Sequence, residues 1–126
     1  MVVIDLEGIK LASINNKYIS RKYILSKPYR EFKKLIIDNC TKVQIKPPYF
    51  VTMEFETYKD LDAPIKPCLD ALEDAGVIDN DRNVLGLHVI KTPTKRGKKE
   101  NIKISIETMW LYVNIIISKY KGVTHG

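Results

Sequence analysis

Apolar residues recur along this chain with two different periods. From Tyr49 to Thr57 the period is two: Val51, Met53 and Phe55 fall on one side and Thr52, Glu54 and Glu56 on the other, as in a half-buried strand. Leu85, Leu87 and Val89 alternate in the same way, as do Ile102, Ile104 and Ile106, and these two runs predict a late β-hairpin. Met1 to Leu6 reads as a further strand. Helical spacing begins at Pro28, which lacks an amide hydrogen that the first turn does not need, and continues through Tyr29, Phe32, Leu35, Ile36 and Asn39. A second helix places Ile65, Leu69, Leu72 and Gly76 on one stripe and Lys66, Asp70, Glu73 and Asp74 on the other. Pro64 and Pro67 must both fall in its first turn, because a proline deeper in a helix removes a hydrogen bond and clashes with the preceding turn.

Two stretches lack a clear period. Gly8 to Ser26 is crowded with Lys10, Asn15, Asn16, Lys17, Arg21 and Lys22, and is expected to be a long loop with at most a short strand at Tyr23 to Leu25. Met109 to Tyr120 is apolar enough to pack as a helix, although Val113, Ile115, Ile116 and Ile117 are β-branched and leave a strand open. The elements add up to an α+β fold: one compact domain over residues 1–126, a mixed β-sheet with the late hairpin, and two to three helices packed on it. A chain of 126 residues with 44% hydrophobic content can bury such a core without covalent staples.

Composition narrows the function. Cys40 and Cys68 form no CxxC pair and the two histidines are His88 and His125, so a structural zinc site lacks ligands and spacing, and reduced thiols are expected. The start, MVVIDLEG, has no basic region ahead of an apolar run, and no apolar stretch approaches the roughly 20 residues of a membrane helix. A cytoplasmic protein is expected. Charge is segregated: residues 54–81 hold nine of the fifteen acidic residues and two of the twenty-one basic ones, a net −7 against +13 elsewhere. The basic remainder suits a polyanion.

Within the acidic island, Asp60 and Asp62 follow a predicted strand and precede a predicted helix, while Asp81 stands just before the next strand. An Asp-x-Asp pair in extended backbone points both carboxylates the same way. With Asp81 as a third hard oxygen ligand, the set suits one or two Mg²⁺ ions that still carry water and a phosphate oxygen, which implies phosphodiester hydrolysis. Lys66, one helical turn beyond Asp62, either projects a cation toward developing charge or pairs with Asp70 at i,i+4.

The ordered set Asp60-Leu61-Asp62, Lys66, Asp70-Ala71-Leu72, Ala75-Gly76 and Asp81 ahead of Val84 closely resembles the signature of RusA-type Holliday-junction resolvases. Ser13-Ile14-Asn15-Asn16-Lys17-Tyr18 resembles that family's N-terminal Asn-containing loop, and Lys91-Thr92-Pro93 with the Lys/Gly-rich turn resembles its late hairpin. The resemblance implies a homodimeric, structure-specific endodeoxyribonuclease that resolves four-way DNA junctions in recombination and repair by paired symmetric cuts. It implies Mg²⁺, with Mn²⁺ as a substitute, held by Asp60, Asp62 and Asp81, and Lys66 as the catalytic lysine. Lys59 matches a basic position that contacts DNA. Lys17 and the loop cations Lys91, Lys95, Arg96, Lys98 and Lys99, with Lys42 and Lys46, are the other expected phosphate contacts.

The chain departs from the pattern at Ala63, where the family commonly has Asn. Asn before proline is a good helix N-cap, and losing one costs about 0.5 to 2 kcal/mol. Either Asp62 caps the helix, in competition with a metal, or another group does. Two rival functions remain: a catalytically inactive or weakly active basic DNA-binding module whose aspartates shape a loop, and a structural subunit binding an acidic protein.

Overall fold

The structure is a computed structural model and describes residues 1–19, 24–41, 43–109 and 118–119. In chain order the elements are β1 (Val2–Ile9), β2 (Tyr18–Ile19), β3 (Ile24–Leu25), α1 (Lys27–Asp38), β4 (Tyr49–Thr57), α2 (Ile65–Asp74), β5 (Val84–Pro93) and β6 (Glu100–Thr108), with 3₁₀ turns at Ile14–Asn16 and Asp81–Asn83. The architecture is α+β: a mixed four-stranded sheet in the order β1-β6-β4-β5, two helices, and a small β2-β3 ribbon.

The period-two residues explain the sheet. Val2, Ile4 and Leu6 lie opposite Ile106, Ile104 and Ile102, which in turn lie opposite Val51, Met53 and Phe55, so three strands contribute one continuous apolar face. That face is buried against Tyr29, Phe32 and Ile36 of α1 and Cys68, Ala71 and Leu72 of α2. Ser26 caps α1 by accepting the Tyr29 amide, with Pro28 in the first turn as its chemistry demands.

The late hairpin is corrected. β5 and β6 are not neighbours: β4 lies between them, antiparallel to β6 and parallel to β5. Parallel pairing needs a crossover, and α2 supplies it between β4 and β5. The basic segment after β5 then steps across the end of β4, where the Thr94 amide donates to the Thr57 carbonyl at 3.1 Å. Alternation assigns each residue to a face but does not say which strand is next door.

The region Gly8 to Ser26 carries more structure than expected. β1 runs on to Ile9, a 3₁₀ turn forms at Ile14–Asn16, and β3 finds a partner in β2. The expectation for Met109 to Tyr120 falls almost wholly outside the described residues, as do Arg21, Lys22, Tyr23 and Lys42. No described helix is long and apolar enough to cross a membrane.

Candidate metal and nucleic-acid site

The acidic segment wraps the beginning of α2. After β4, residues 58–64 form a turn in which the Ala63 amide donates to the Asp60 carbonyl at 3.1 Å and the Ile65 amide to the Asp62 carbonyl at 3.3 Å. No side chain caps α2; Pro64 stands at the cap position, and Pro67 fits the first turn. Ala63 is buried, and its carbonyl accepts the Ile14 amide at 3.0 Å, which docks the Ser13–Tyr18 loop onto this turn. Asp62 is therefore not consumed as a cap. The Asp60 and Asp62 side chains are exposed, and among the described residues no hydrogen bond or ion pair engages their carboxylates.

Asp81 is brought to α2 by the short turn before β5. Asn80 accepts the Arg82 amide at 3.0 Å, Asn83 donates to Asp79 at 2.9 Å, and the Asp79 amide donates to the Tyr49 hydroxyl at 3.1 Å. This bracing turns Asp79 outward and leaves Asp81 to accept a hydrogen bond from the Lys66 ammonium. Lys66 also lies 3.3 Å from Asp70, so it bridges two carboxylates. The Asp81 hydrogen bond, aided by Asp70 and opposed by partial burial, raises the Lys66 pKa above its ordinary value.

Asp70 is the hub that sequence reasoning underweighted. It accepts from the Tyr29 hydroxyl and from Lys17 at 3.2 Å as well as facing Lys66. Burial alone would raise its pKa, but the hydrogen bonds from Tyr29, Lys17 and Lys66 outweigh it and hold the carboxyl below its ordinary range. The Lys66–Asp70 spacing was visible as an i,i+4 pair, whereas Tyr29 was legible only as a core residue of α1.

Three carboxylates, Asp70, Glu73 and Asp81, offer oxygens within 4.8 Å of one another. Their hard oxygen chemistry suits a divalent cation such as Mg²⁺, although the Lys66 ammonium already answers part of that charge. The structure joins Asp81 to Lys66 and adds Asp70 and Glu73, while Asp60 and Asp62 stand outside this close group on the adjoining turn. Asp60 instead faces an open cleft of about 580 Å³ that it shares with Ser13, Asn15, Lys59 and Arg96.

The expected DNA-contacting cations divide into two sets. Lys95, Arg96, Lys98 and Lys99 are exposed on the loop after β5, which turns at Gly97 with φ of 88°, and Lys91 is half-buried on β5. Lys17 and Lys59 are committed within the chain. Lys17 pairs with Asp70 and packs over the Tyr18 and Tyr29 rings, and Lys59 lies 2.5 Å from the buried Glu100 and over the Tyr58 ring. Both thiols are free, and burial pushes each thiol pKa up, that of Cys68 strongly. No family model matches the chain, and no curated protein matches it.

Proposed function

We propose that the protein is a Mg²⁺-dependent, structure-specific endodeoxyribonuclease of the RusA type that resolves Holliday junctions in the cytoplasm by paired symmetric cleavage, acting as a homodimer. The observation that carries this reading is the Lys66–Asp81 hydrogen bond: residues fifteen positions apart, both assigned to one site by resemblance, meet at the start of α2 beside the unengaged carboxylates of Asp60 and Asp62. The shared cleft of Asp60, Asn15 and Arg96 supports it, because it sets an acidic ligand next to a phosphate-binding cation.

Asp60, Asp62 and Asp81 would hold the metal, which when bound supplies charge neutralisation at the phosphate and acidifies a water. Lys66, whose pKa its two carboxylates raise further, presents N–H donors to the leaving oxygen. Asp70 positions Lys66 and Lys17 together. The exposed cations after β5 bind phosphates without reading bases, so recognition is by junction shape.

A second reading, a DNA-binding module with little or no cleavage activity, is favoured by one observation: the close carboxylate group is Asp70, Glu73 and Asp81, with Asp60 and Asp62 outside it. Nicking of a synthetic four-way junction with Mg²⁺ or Mn²⁺ separates the two. The nuclease reading expects symmetric nicks that Asp60→Asn, Asp62→Asn and Asp81→Asn each abolish while binding survives, and a loss of about 100-fold in Lys66→Ala. Cleavage retained in all three aspartate variants removes this site assignment, and tight binding with no cleavage under either metal establishes the module.

A further inference from the structure

The two edges of the sheet are built differently. β1 carries Asp5 and Glu7 on its exposed face, shifts register between Leu6 and Ile9, and bends at Gly8 with φ of 65°, devices that discourage another strand from adding. β5 is irregular only at its start, where the pairing with β4 passes from Val84 to Gly86 and skips Leu85; from Gly86 to Ile90 it runs in register and contains no Asp, Glu, Lys, Arg or Pro. Leu85, Leu87 and Ile90 are 63%, 42% and 44% exposed there. Among the described residues nothing pairs with the outer edge of β5, whose inner edge is taken by β4 at Val84 and from Gly86 to Pro93.

We infer that the outer edge of β5 is the seat of a second copy of this chain, joined by antiparallel β5–β5 pairing into one continuous sheet of eight strands. The occupant follows from charge order along the strand. β5 begins beside Asp79 and Asp81 and ends at Lys91, Lys95 and Arg96, so antiparallel self-pairing sets each acidic start against a basic end, whereas parallel pairing would set like against like. An overlap centred on the in-register, uncharged run Gly86 to Ile90 leaves Pro93 outside and puts its two-fold axis at His88. In that register Leu87 lies opposite the partner's Val89, and the acidic start of β5 comes to the same end of the pair as the partner's basic loop.

This geometry has a consequence for the candidate site. An axis perpendicular to the sheet keeps both copies of α2 on the same side, and each acidic cluster gains cations from the other copy's loop. The interface does not rest on the nuclease reading: it is a property of the edge, and it stands or falls without DNA.

The 126-residue chain in a Cys40→Ser background is tested by light scattering and by directed cross-linking. The expected results are a mass twice 14.5 kDa at micromolar concentration, conversion to monomer by Leu85→Lys with Leu87→Lys at unchanged circular dichroism, and disulfide-linked dimer in His88→Cys. Opposed Cα atoms in an antiparallel pair lie about 4.5 to 5.5 Å apart, within disulfide reach. A monomeric parent overturns the inference. A dimer that survives the double lysine variant, or cross-links through Val3→Cys on β1 and not through His88→Cys, also overturns it. If the lysine variant unfolds, the His88→Cys result alone decides. Dimerisation through β5 without junction cleavage would leave this interface intact and remove only the nuclease reading.

Discussion

Glu100→Ala should be among the most destabilising substitutions in the molecule. Glu100 is 1% exposed at the start of β6, and three donors converge on its carboxylate: the Leu11 amide at 3.1 Å, the Lys59 ammonium at 2.5 Å and the Thr57 hydroxyl. Truncation strands the Lys59 charge, and breaking a buried pair from one side costs about 3 to 5 kcal/mol. The lower end applies, because the Lys59 side chain keeps 14% exposure and can rotate toward water. The orphaned Leu11 amide adds about 1 kcal/mol. A total near 4 kcal/mol is a large share of the roughly 5 to 15 kcal/mol that holds a domain together, and corresponds to a fall in Tm of about 15 °C. Urea and thermal unfolding followed by circular dichroism measure it. Glu100→Leu with Lys59→Met should recover most of the loss, since a buried pair replaced by apolar groups is often neutral, but not the share due to Leu11. A cost below about 1 kcal/mol for Glu100→Ala, or no coupling between Lys59 and Glu100 in the double-mutant cycle, would refute the reasoning.

Asp70 sets a pH dependence. Its folded pKa lies below its unfolded value, so its contribution is complete above about pH 4 and is lost as pH falls through the lower, folded value. Asp70→Asn should therefore lose stability at neutral pH and converge on the parent in acid, a trend read from urea midpoints across pH 2 to 7; a constant difference would count against it. Gly86→Ala should cost about 1 to 3 kcal/mol, because an added Cβ would sit 2.3 Å from the Phe50 ring, and a neutral result would show that the ring yields freely. Replacing Lys95, Arg96, Lys98 and Lys99 with Gln should weaken junction binding and flatten its slope against log salt by about 0.9 for each lost phosphate contact; an unchanged slope would exclude that loop.

The parts of the fold legible in the sequence were those fixed by local spacing. The buried faces of β4 and β6, the prolines opening α1 and α2, and the acidic island all follow from residues within a turn or a strand of one another. Strand order was not legible, since Leu85, Leu87 and Val89 read identically whether β5 lies beside β6 or across β4 from it. What decides the matter is non-local: β4 needs partners on both edges, and α2 makes the parallel one reachable.

The candidate site divides along the same line. Lys66 and Asp81 were legible as residue types at suggestive positions, but Lys17 and Lys59 were read as cations for phosphate because the sequence cannot show a carboxylate 53 or 41 residues away. Asp70 and Glu100 each draw a lysine inward and with it a loop: Lys17 anchors the Asn-containing loop, and Lys59 fixes the residue before Asp60. Formal net charge therefore overstates the cations available to a polyanion on this face, and among the described residues Lys95, Arg96, Lys98 and Lys99 on the loop after β5 are exposed beside it. If the β5 edge joins two copies, those exposed cations sit beside the other copy's acidic cluster, so binding and cleavage should both fall when the interface is broken, even though neither Leu85 nor Leu87 would touch DNA.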